Sequence, residues 1–307
     1  MPQSPPPFRA ALLSPRHWPA WIGIAAIRLL ARLPRRWLMA GGRGAGRVAA
    51  RLLGERRRIA ARNLALCFPE LDDAQRGELL ERNLRDSGLM LAEFALAWMG
   101  SDSAIARVPV QISGLEHLDA ARASGRGVLL VGAHFSHLEL CARLVSQRIR
   151  IAGMYRRHDD AAFEWAIKRA RLRYADAMFG KDEIRQTVRY LRGGGTLWYA
   201  PDQDMRGKDS VFAPFFGVPA ATITATHHLA RLSGACVIPF FHRRLDDDGY
   251  AIRLDPPLED FPGADVATDC ARVNAIIECM VREAPSQYLW MHKRFKTRPP
   301  GQPPLYE

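Results

Sequence analysis

His134 and Glu139 are the residues whose types and spacing best suit catalysis in this chain. They follow an apolar run, Val128 to Ala133, that predicts a buried strand, and the residues after His134 predict a helix. A histidine and a carboxylate at such a junction can place a general base beside the group that orients it. This arrangement suits acyl transfer to a hydroxyl.

The same residues allow other interpretations. Ser136 and Glu139 have the spacing of a capping box, so the glutamate could serve only to cap the following helix. His134 could be an ordinary hydrogen-bonded histidine. Together with His137 and Glu139 it could also ligate a metal, although no zinc-ligand spacing supports a metal site.

Polar groups are also predicted at the ends of two other strands. Tyr155 and Arg156 close one strand, and Asp202 and Asp204 follow the other. Ligands of open α/β sheets bind outside the carboxyl ends of the strands, so these groups are expected at the same edge as His134. Asp202 and Asp204 could equally be turn residues, because they come soon after a proline.

Arg171 is a further candidate, on a helix predicted over 160–174. A helical wheel places it beside the apolar stripe of that helix, whereas Arg169 and Arg173 point elsewhere. An arginine at the edge of an apolar face usually has a specific anionic partner. We therefore predict such a partner for Arg171.

Helical and strand patterns alternate along the body of the chain, which is typical of an α/β sheet covered on both faces. The predicted fold is α/β, with a central mixed, largely parallel sheet flanked by helices. Helices are predicted over 73–99, 115–124, 136–147, 160–174, 182–191, 222–233 and 267–283. Strands are predicted over 108–112, 127–133, 150–155, 196–200, 236–241 and 250–254, with an irregular stretch over 201–219.

Residues 1–66 carry the whole excess of positive charge. They hold 13 arginines and one acidic residue, whereas the remaining residues hold 31 basic and 31 acidic side chains. Localised charge indicates a localised anionic partner, either a membrane surface or a nucleic acid.

The apolar part of this segment is short. Its uncharged run from His17 to Ile27 falls below the roughly 20 residues of a bilayer span, and tryptophans flank it. A second, arginine-rich helix is predicted after a turn over Gly41–Gly46. We expect residues 1–66 to form an N-terminal helical membrane anchor, interfacial or marginally spanning, ahead of a catalytic domain over 67–307. A charged helix packed on the body is the alternative.

Other protein classes find less support. Five scattered cysteines without a CxxC pair indicate a reducing compartment and no structural metal. The chain lacks GxSxG and Walker A motifs, which argues against a serine hydrolase or a P-loop enzyme. A nucleic-acid-binding protein at a membrane surface stays open, although the basic segment is interleaved with tryptophan and aliphatic residues.

The chain resembles a known enzyme family. His134 and Glu139 match the motif of the glycerolipid acyltransferase superfamily, a histidine followed after four residues by an acid. Longer segments, spread over nearly the whole chain, look like the late acyltransferases of lipid A biosynthesis, most of all the lauroyltransferase branch. These segments are 62–69, 154–156, 171–173, 197–204, 210–216, 229–236 and 287–299.

The resemblance implies an enzyme on the cytoplasmic face of the bacterial inner membrane. It would move a fatty acyl group, lauroyl in that branch, from acyl carrier protein to an acyl-chain hydroxyl of the Kdo-bearing lipid A precursor, Kdo2-lipid IVA. Its partners would be these two substrates and an anionic membrane surface, without nucleic acid, metal or cofactor. A related enzyme that acylates another glycolipid or a lysophospholipid is the alternative, with the same base and different pockets.

The resemblance also implies roles for individual residues. His134 would be the general base, and Glu139 would hold its imidazole in one tautomer. Arg171 would stabilise the oxyanion or bind a lipid phosphate, and Asp202 would order Arg171 or the acceptor hydroxyl. Tyr155 and Arg156 would contribute to substrate binding.

Overall fold

The protein is described by a computed structural model that covers residues 2–205 and 209–306, apart from the side chain of Ala50. The α-helices are α1 (Trp18–Leu30), α2 (Arg35–Leu52), α3 (Gly54–Cys67), α4 (Asp73–Met99), α5 (Asp102–Ala106), α6 (Leu115–Ala123), α7 (Leu138–Val145), α8 (Ala161–Arg171), α9 (Ile184–Arg192), α10 (Ala225–Ser233) and α11 (Val266–Glu283). The strands are β1 (Val110–Ser113), β2 (Val128–Val131), β3 (Ala152–Tyr155), β4 (Met178–Gly180), β5 (Thr196–Tyr199), β6 (Ser210–Phe215), β7 (Val218–Ile223), β8 (Cys236–Arg244) and β9 (Tyr250–Leu254).

Seven strands form the central sheet in the order β1-β9-β8-β2-β5-β3-β4. Every neighbouring pair is parallel except β8 and β9, which are antiparallel. The prediction of a mixed, largely parallel sheet flanked by helices is therefore confirmed. The other two strands, β6 and β7, form a separate antiparallel hairpin.

Strand β2 lies in the middle of the sheet and is buried on both faces. Leu129 and Val131 pack into one apolar core, and Val128 and Leu130 pack into a second core on the opposite face. Successive side chains of a strand point to opposite faces, so a strand covered on both sides reads as a continuous apolar run. This explains why the run before His134 was recognisable in the sequence.

The N-terminal helices share these cores. Ala60 and Leu64 of α3 belong to the core that contains Val131, and Leu38 and Met39 of α2 belong to the other. Among the described residues, no helix combines the length and apolarity needed to cross a bilayer. The division of the chain after residue 66 stays a prediction.

The predicted turn over Gly41–Gly46 is wrong, because α2 continues through these glycines. Helix α2 packs closely against α4 at this point. A Cβ atom added at Gly88 of α4 would lie 2.3 Å from the Cα of Gly46 and 2.5 Å from the carbonyl oxygen of Gly42. The glycines therefore serve the close approach of two helices and not a break in the chain.

We expect Gly88→Ala to lower the free energy of unfolding by about 2 kcal/mol, because the added methyl group overpacks two backbones that cannot yield. Chemical denaturation measures this value. Gly44→Ala on the neighbouring helix α2 is the control, since a Cβ atom there meets nothing within 4 Å. It should instead raise stability, by up to about 1 kcal/mol. Equal effects of the two substitutions would contradict the close helix contact.

Candidate active site

The register of the sheet places His134 next to Asp202. Val131 of β2 pairs with Tyr199 of β5, and each of the two side chains lies three residues beyond its strand. Asp202 accepts hydrogen bonds from the backbone N–H of His134, at 2.9 Å, and from its ring Nδ1, at 2.6 Å. Both strands are parallel, so their carboxyl ends meet at one edge, as expected for the site of an α/β sheet.

Glu139 does not hold the imidazole, and this part of the prediction is wrong. Its carboxylate accepts hydrogen bonds from the Trp98 indole at 2.7 Å, the Arg171 guanidinium, whose Nε lies at 3.2 Å, and the Tyr174 hydroxyl at 3.3 Å. The two predicted carboxylates have thus exchanged partners, because Asp202 orients the histidine and Glu139 orders Arg171. Sequence spacing alone favoured the nearer carboxylate.

The His134–Asp202 pair is electrostatically coupled. Burial favours the uncharged form of Asp202, but the neighbouring His134 charge and the hydrogen bonds outweigh it and lower the pKa of this carboxyl to about 2. Burial likewise opposes the His134 imidazolium, yet the charge of Asp202 raises the pKa of the histidine above its ordinary value. An ionised Asp202 accepts the proton on Nδ1, so neutral His134 keeps Nε2 as its acceptor.

Arg171 and Glu139 form a second buried pair. Their side chains are 12 % and 14 % exposed. Burial opposes the charge on each partner, but their mutual attraction lowers the pKa of Glu139 and raises that of Arg171. Nη1 of Arg171 is a buried donor without a hydrogen-bond partner among the described residues. It is therefore free to bind an oxygen of a ligand.

One cavity of about 340 Å³ joins most of the predicted residues. His134, Glu139, Tyr155, Arg156 and Arg171 all line it. Most of its other lining is apolar, and includes Met90, Phe94, Leu138, Ala142, Ile151, Met154, Met178, Trp198 and Leu289. Asp202 lies behind the histidine, in the wall of a small adjoining cavity. A mostly apolar cavity with a few polar groups is the usual form of a small-molecule site, and this lining suits an apolar ligand.

Tyr155 and Arg156 occupy different positions in this cavity. The Tyr155 ring lies 5.3 Å from the Arg171 guanidinium, and its hydroxyl donates to Glu164. Arg156 is exposed and donates to Asp159 at 3.1 Å. Tyr155 therefore holds Arg171 in place, whereas Arg156 lies at the mouth. Asp204 is not part of the cavity lining and instead accepts hydrogen bonds from Thr297 at 2.7 and 2.9 Å.

The loop that carries His134 is fixed by the C-terminal part of the chain. The backbone N–H of Leu289 donates to the carbonyl of His134 at 3.0 Å, and that of Ser136 donates to the carbonyl of Gln287 at 2.9 Å. Tyr288 makes a further hydrogen bond to Asp202. These residues had no predicted role, although they fall in the segment 287–299 that carries the resemblance.

The capping-box interpretation of Ser136 and Glu139 is wrong. Helix α7 begins after His137 and has no side-chain cap. The Ser136 hydroxyl instead accepts a hydrogen bond from Arg244 at 3.2 Å. Glu139 is therefore free for the pair with Arg171.

The predicted alternative of a metal bound by His134, His137 and Glu139 finds no matching cluster among the described residues. His137 lies instead with Cys141 and His242, in a buried group whose ligand atoms are all within 4.8 Å of one another. Burial lowers the pKa of His242 to about 3 and that of His137 well below its ordinary value. Both imidazoles are therefore neutral in the folded protein at physiological pH.

We expect acid to destabilise the folded chain through His242. Below pH 6.5 the unfolded chain binds a proton at this histidine, whereas the folded chain does not do so until about pH 3. Between pH 7.5 and pH 5 the free energy of unfolding should therefore fall by about 2 kcal/mol more in the wild type than in His242→Asn. The exposed His228→Asn is the control, and an equal pH dependence of wild type and His242→Asn would contradict the assignment.

Residues 5–297 match the family of bacterial lipid A biosynthesis acyltransferases, so the chain belongs to that family and is an acyltransferase of lipid A biosynthesis. It is 40% identical to the lipid A biosynthesis lauroyltransferase of Escherichia coli K12, over 98% of this chain and 99% of the relative. This confirms the predicted enzyme class and the resemblance.

Other members of the family are similarly related. The lipid A biosynthesis palmitoleoyltransferase of Escherichia coli K12 is 39% identical, over 97% of this chain and 98% of the relative. The myristoyltransferase of the same organism is 31% identical, over 97% of this chain and 93% of the relative. Among solved structures, an acyltransferase acting on 1-acyl-sn-glycerophosphate from Thermotoga maritima aligns with 78% of this chain and 98% of that chain, with a TM-score of 0.39 and 15% identity.

Proposed function

We propose that this enzyme transfers a lauroyl group from acyl carrier protein to an acyl-chain hydroxyl of Kdo2-lipid IVA, with His134 as the general base. The observation that carries the proposal is the His134–Asp202 pair at an apolar cavity. Because Asp202 holds the proton on Nδ1, Nε2 takes the proton of the acceptor hydroxyl as the oxygen attacks the thioester carbonyl. The imidazolium that forms is stabilised by the adjacent carboxylate, and it gives its proton to the carrier-protein thiolate that leaves when the thioester C–S bond breaks.

Arg171 is the proposed stabiliser of the oxyanion. Its Nη1 has no described partner, and the residue lines the same cavity as His134. Glu139 fixes the orientation of the Arg171 guanidinium before substrate arrives. The ring of Trp98 lies 5.7 Å from the same guanidinium. A donor held in place in this way stabilises developing negative charge without reorganising during the reaction.

The proposed location is the cytoplasmic face of the inner membrane, with the N-terminal helices in the interface. Large apolar side chains are exposed there, among them Trp18 (59%), Ile22 (71%), Leu29 (64%), Trp37 (61%) and Leu52 (76%). Aromatic and aliphatic groups next to arginines are typical of helices that lie in the plane of an anionic leaflet. At the cavity mouth, exposed basic side chains such as Arg156 would attract the acidic carrier protein.

Competition between donors and acceptors tests the proposal. Purified enzyme is incubated with lauroyl, myristoyl and palmitoleoyl acyl carrier protein as competing donors. Kdo2-lipid IVA and a lysophospholipid are the competing acceptors, and mass spectrometry measures the masses of the products. We expect the lipid A precursor to gain the mass of one lauroyl group. A palmitoleoyl product would reject the proposed donor, and acylation of the lysophospholipid alone would reject the proposed acceptor.

A further inference from the structure

A second cavity, separate from the active site, is lined by arginines. Its volume is about 860 Å³. Its apolar floor includes Leu96 and Met99 of α4, and Ser101 follows that helix. The five arginines that line it come from three separate segments of the chain, and they are Arg28, Arg32, Arg35, Arg107 and Arg173.

Most of these guanidinium groups lack an acidic partner. Within residues 2–205 and 209–306, Arg28, Arg32 and Arg107 have no side-chain hydrogen bond or ion pair. Arg35 donates to a backbone carbonyl, and its Nε is buried without a partner. Arg173 reaches Asp102 only at 3.4 Å, and that carboxylate is already bound by Arg143 at 2.7 Å.

Five positive charges around one opening repel one another, and an anion that binds between them relieves the repulsion. Arginine presents a planar fork of donors that matches phosphate oxygens, so unpaired arginines from several segments form a site for a phosphate ester. The apolar floor of the cavity suits the hydrocarbon or sugar part next to such a group.

The surroundings of the cavity indicate that its ligand is a lipid. Arg28 lies in the last turn of α1 and Arg32 lies in the turn after it, beside the exposed side chains of Leu29 and Leu33. The cavity therefore opens next to apolar groups that suit the acyl boundary of a membrane.

The arginine cavity and the active site also lie on shared elements. Arg173 lines the arginine cavity, whereas Arg171 and Tyr174 line the active site. In the same way, Leu96 of α4 lines the arginine cavity and Phe94 of α4 lines the active site. One substrate with a headgroup and a chain could thus occupy both.

We propose that the arginine cavity binds a phosphate group of the glycolipid acceptor while one acyl chain of that lipid reaches His134. This inference rests on the proposed function. The phosphate fixes the sugar at the membrane surface, and the hydroxyl of the chain is thereby presented to the base.

The test uses the double variant Arg32→Gln/Arg107→Gln, which removes two unpaired charges from the cavity. Arg47→Gln/Arg51→Gln is the matched control, because it removes two charges from exposed positions of α2 outside the cavity. Each protein is assayed with Kdo2-lipid IVA and with the same lipid after phosphatase treatment. Binding of both lipids is measured in parallel in the His134→Ala background, in detergent micelles, so that the result does not depend on turnover.

We expect the cavity variant to raise KM for the phosphorylated acceptor by about tenfold per arginine and to change kcat little. The dephosphorylated acceptor should bind weakly to every protein, with no further loss in the cavity variant. Equal losses with both acceptors, or equal losses in the control variant, would overturn the proposal and indicate a contact with the membrane surface in general. Phosphate-dependent binding without acyl transfer by the unmutated chain would instead reject the proposed function and retain the site.

Discussion

Asp202→Asn is expected to slow acyl transfer at saturating substrates by about 100- to 10,000-fold. The carboxylate of Asp202 accepts two hydrogen bonds from His134, one from the backbone and one from Nδ1. An amide has only one acceptor oxygen, so one of these donors loses its acceptor or the amide nitrogen turns toward Nδ1. In the latter case the imidazole proton moves to Nε2, and the base is lost. Single-turnover rates of lauroyl transfer measure the effect.

His134→Ala sets the reference for this experiment. A double variant of both positions should be no slower than His134→Ala alone, because the two residues act as one unit. The wild-type rate should rise with pH and level off above the raised pKa of His134, since only the neutral imidazole accepts a proton. In Asp202→Asn the remaining activity should level off at a lower pH, because the charge that raises the pKa of His134 is gone. Wild-type rates in Asp202→Asn would contradict the assignment of the pair.

Glu139→Gln is expected to lower the free energy of unfolding by about 3 kcal/mol, because it leaves the buried Arg171 charge without a counter-charge. The substitution keeps the shape of the side chain, so the loss reports charge and not packing. Activity should fall as well, since Arg171 is then free to turn away from the cavity. Urea denaturation and steady-state assays give the two values.

The double variant Glu139→Gln/Arg171→Met is the control for this second prediction. It removes both charges, so it should recover part of the lost stability while activity stays low. Recovery of activity together with stability would contradict the proposed role of Arg171. A changed pH–rate profile in stable Glu139→Gln would show instead that Glu139 acts on His134.

Sequence patterns predicted the elements of the central fold correctly where the local pattern and the packing in the folded chain favour the same structure. Strand β9 and helix α4 have the predicted bounds, because their ends coincide with caps or turn residues. An irregular stretch was predicted over 201–219 and a helix from 222, whereas β6 and β7 form a hairpin there and the helix begins at Ala225. Pro214 and Pro219 argue against strands. These prolines face each other across a separate two-stranded ribbon, where a missing donor costs little. The turn between β6 and β7 is formed by Phe216 and Gly217, whose φ angles are 51° and 72°. A glycine between two apolar runs is the sequence feature that could have indicated this hairpin turn.

The site was predictable as a set of residues but not as a set of contacts. Strand ends correctly indicated that His134, Tyr155 and Asp202 converge at one edge of the sheet. The partner of the imidazole depends on which strand lies next to β2, and pairing order is a long-range property that periodicity does not carry. Tyr288, far away in the sequence, was missed for the same reason.

The hydrogen bonds between Gln287, Leu289 and the loop of His134 mean that residues from a distant part of the sequence complete the geometry of the candidate base. During synthesis the segment of His134 leaves the ribosome before Gln287 and Leu289 do, so its loop lacks these contacts until they follow. The arrangement of His134 is therefore complete only after the segment of Gln287 and Leu289 has been synthesised and has docked on its loop.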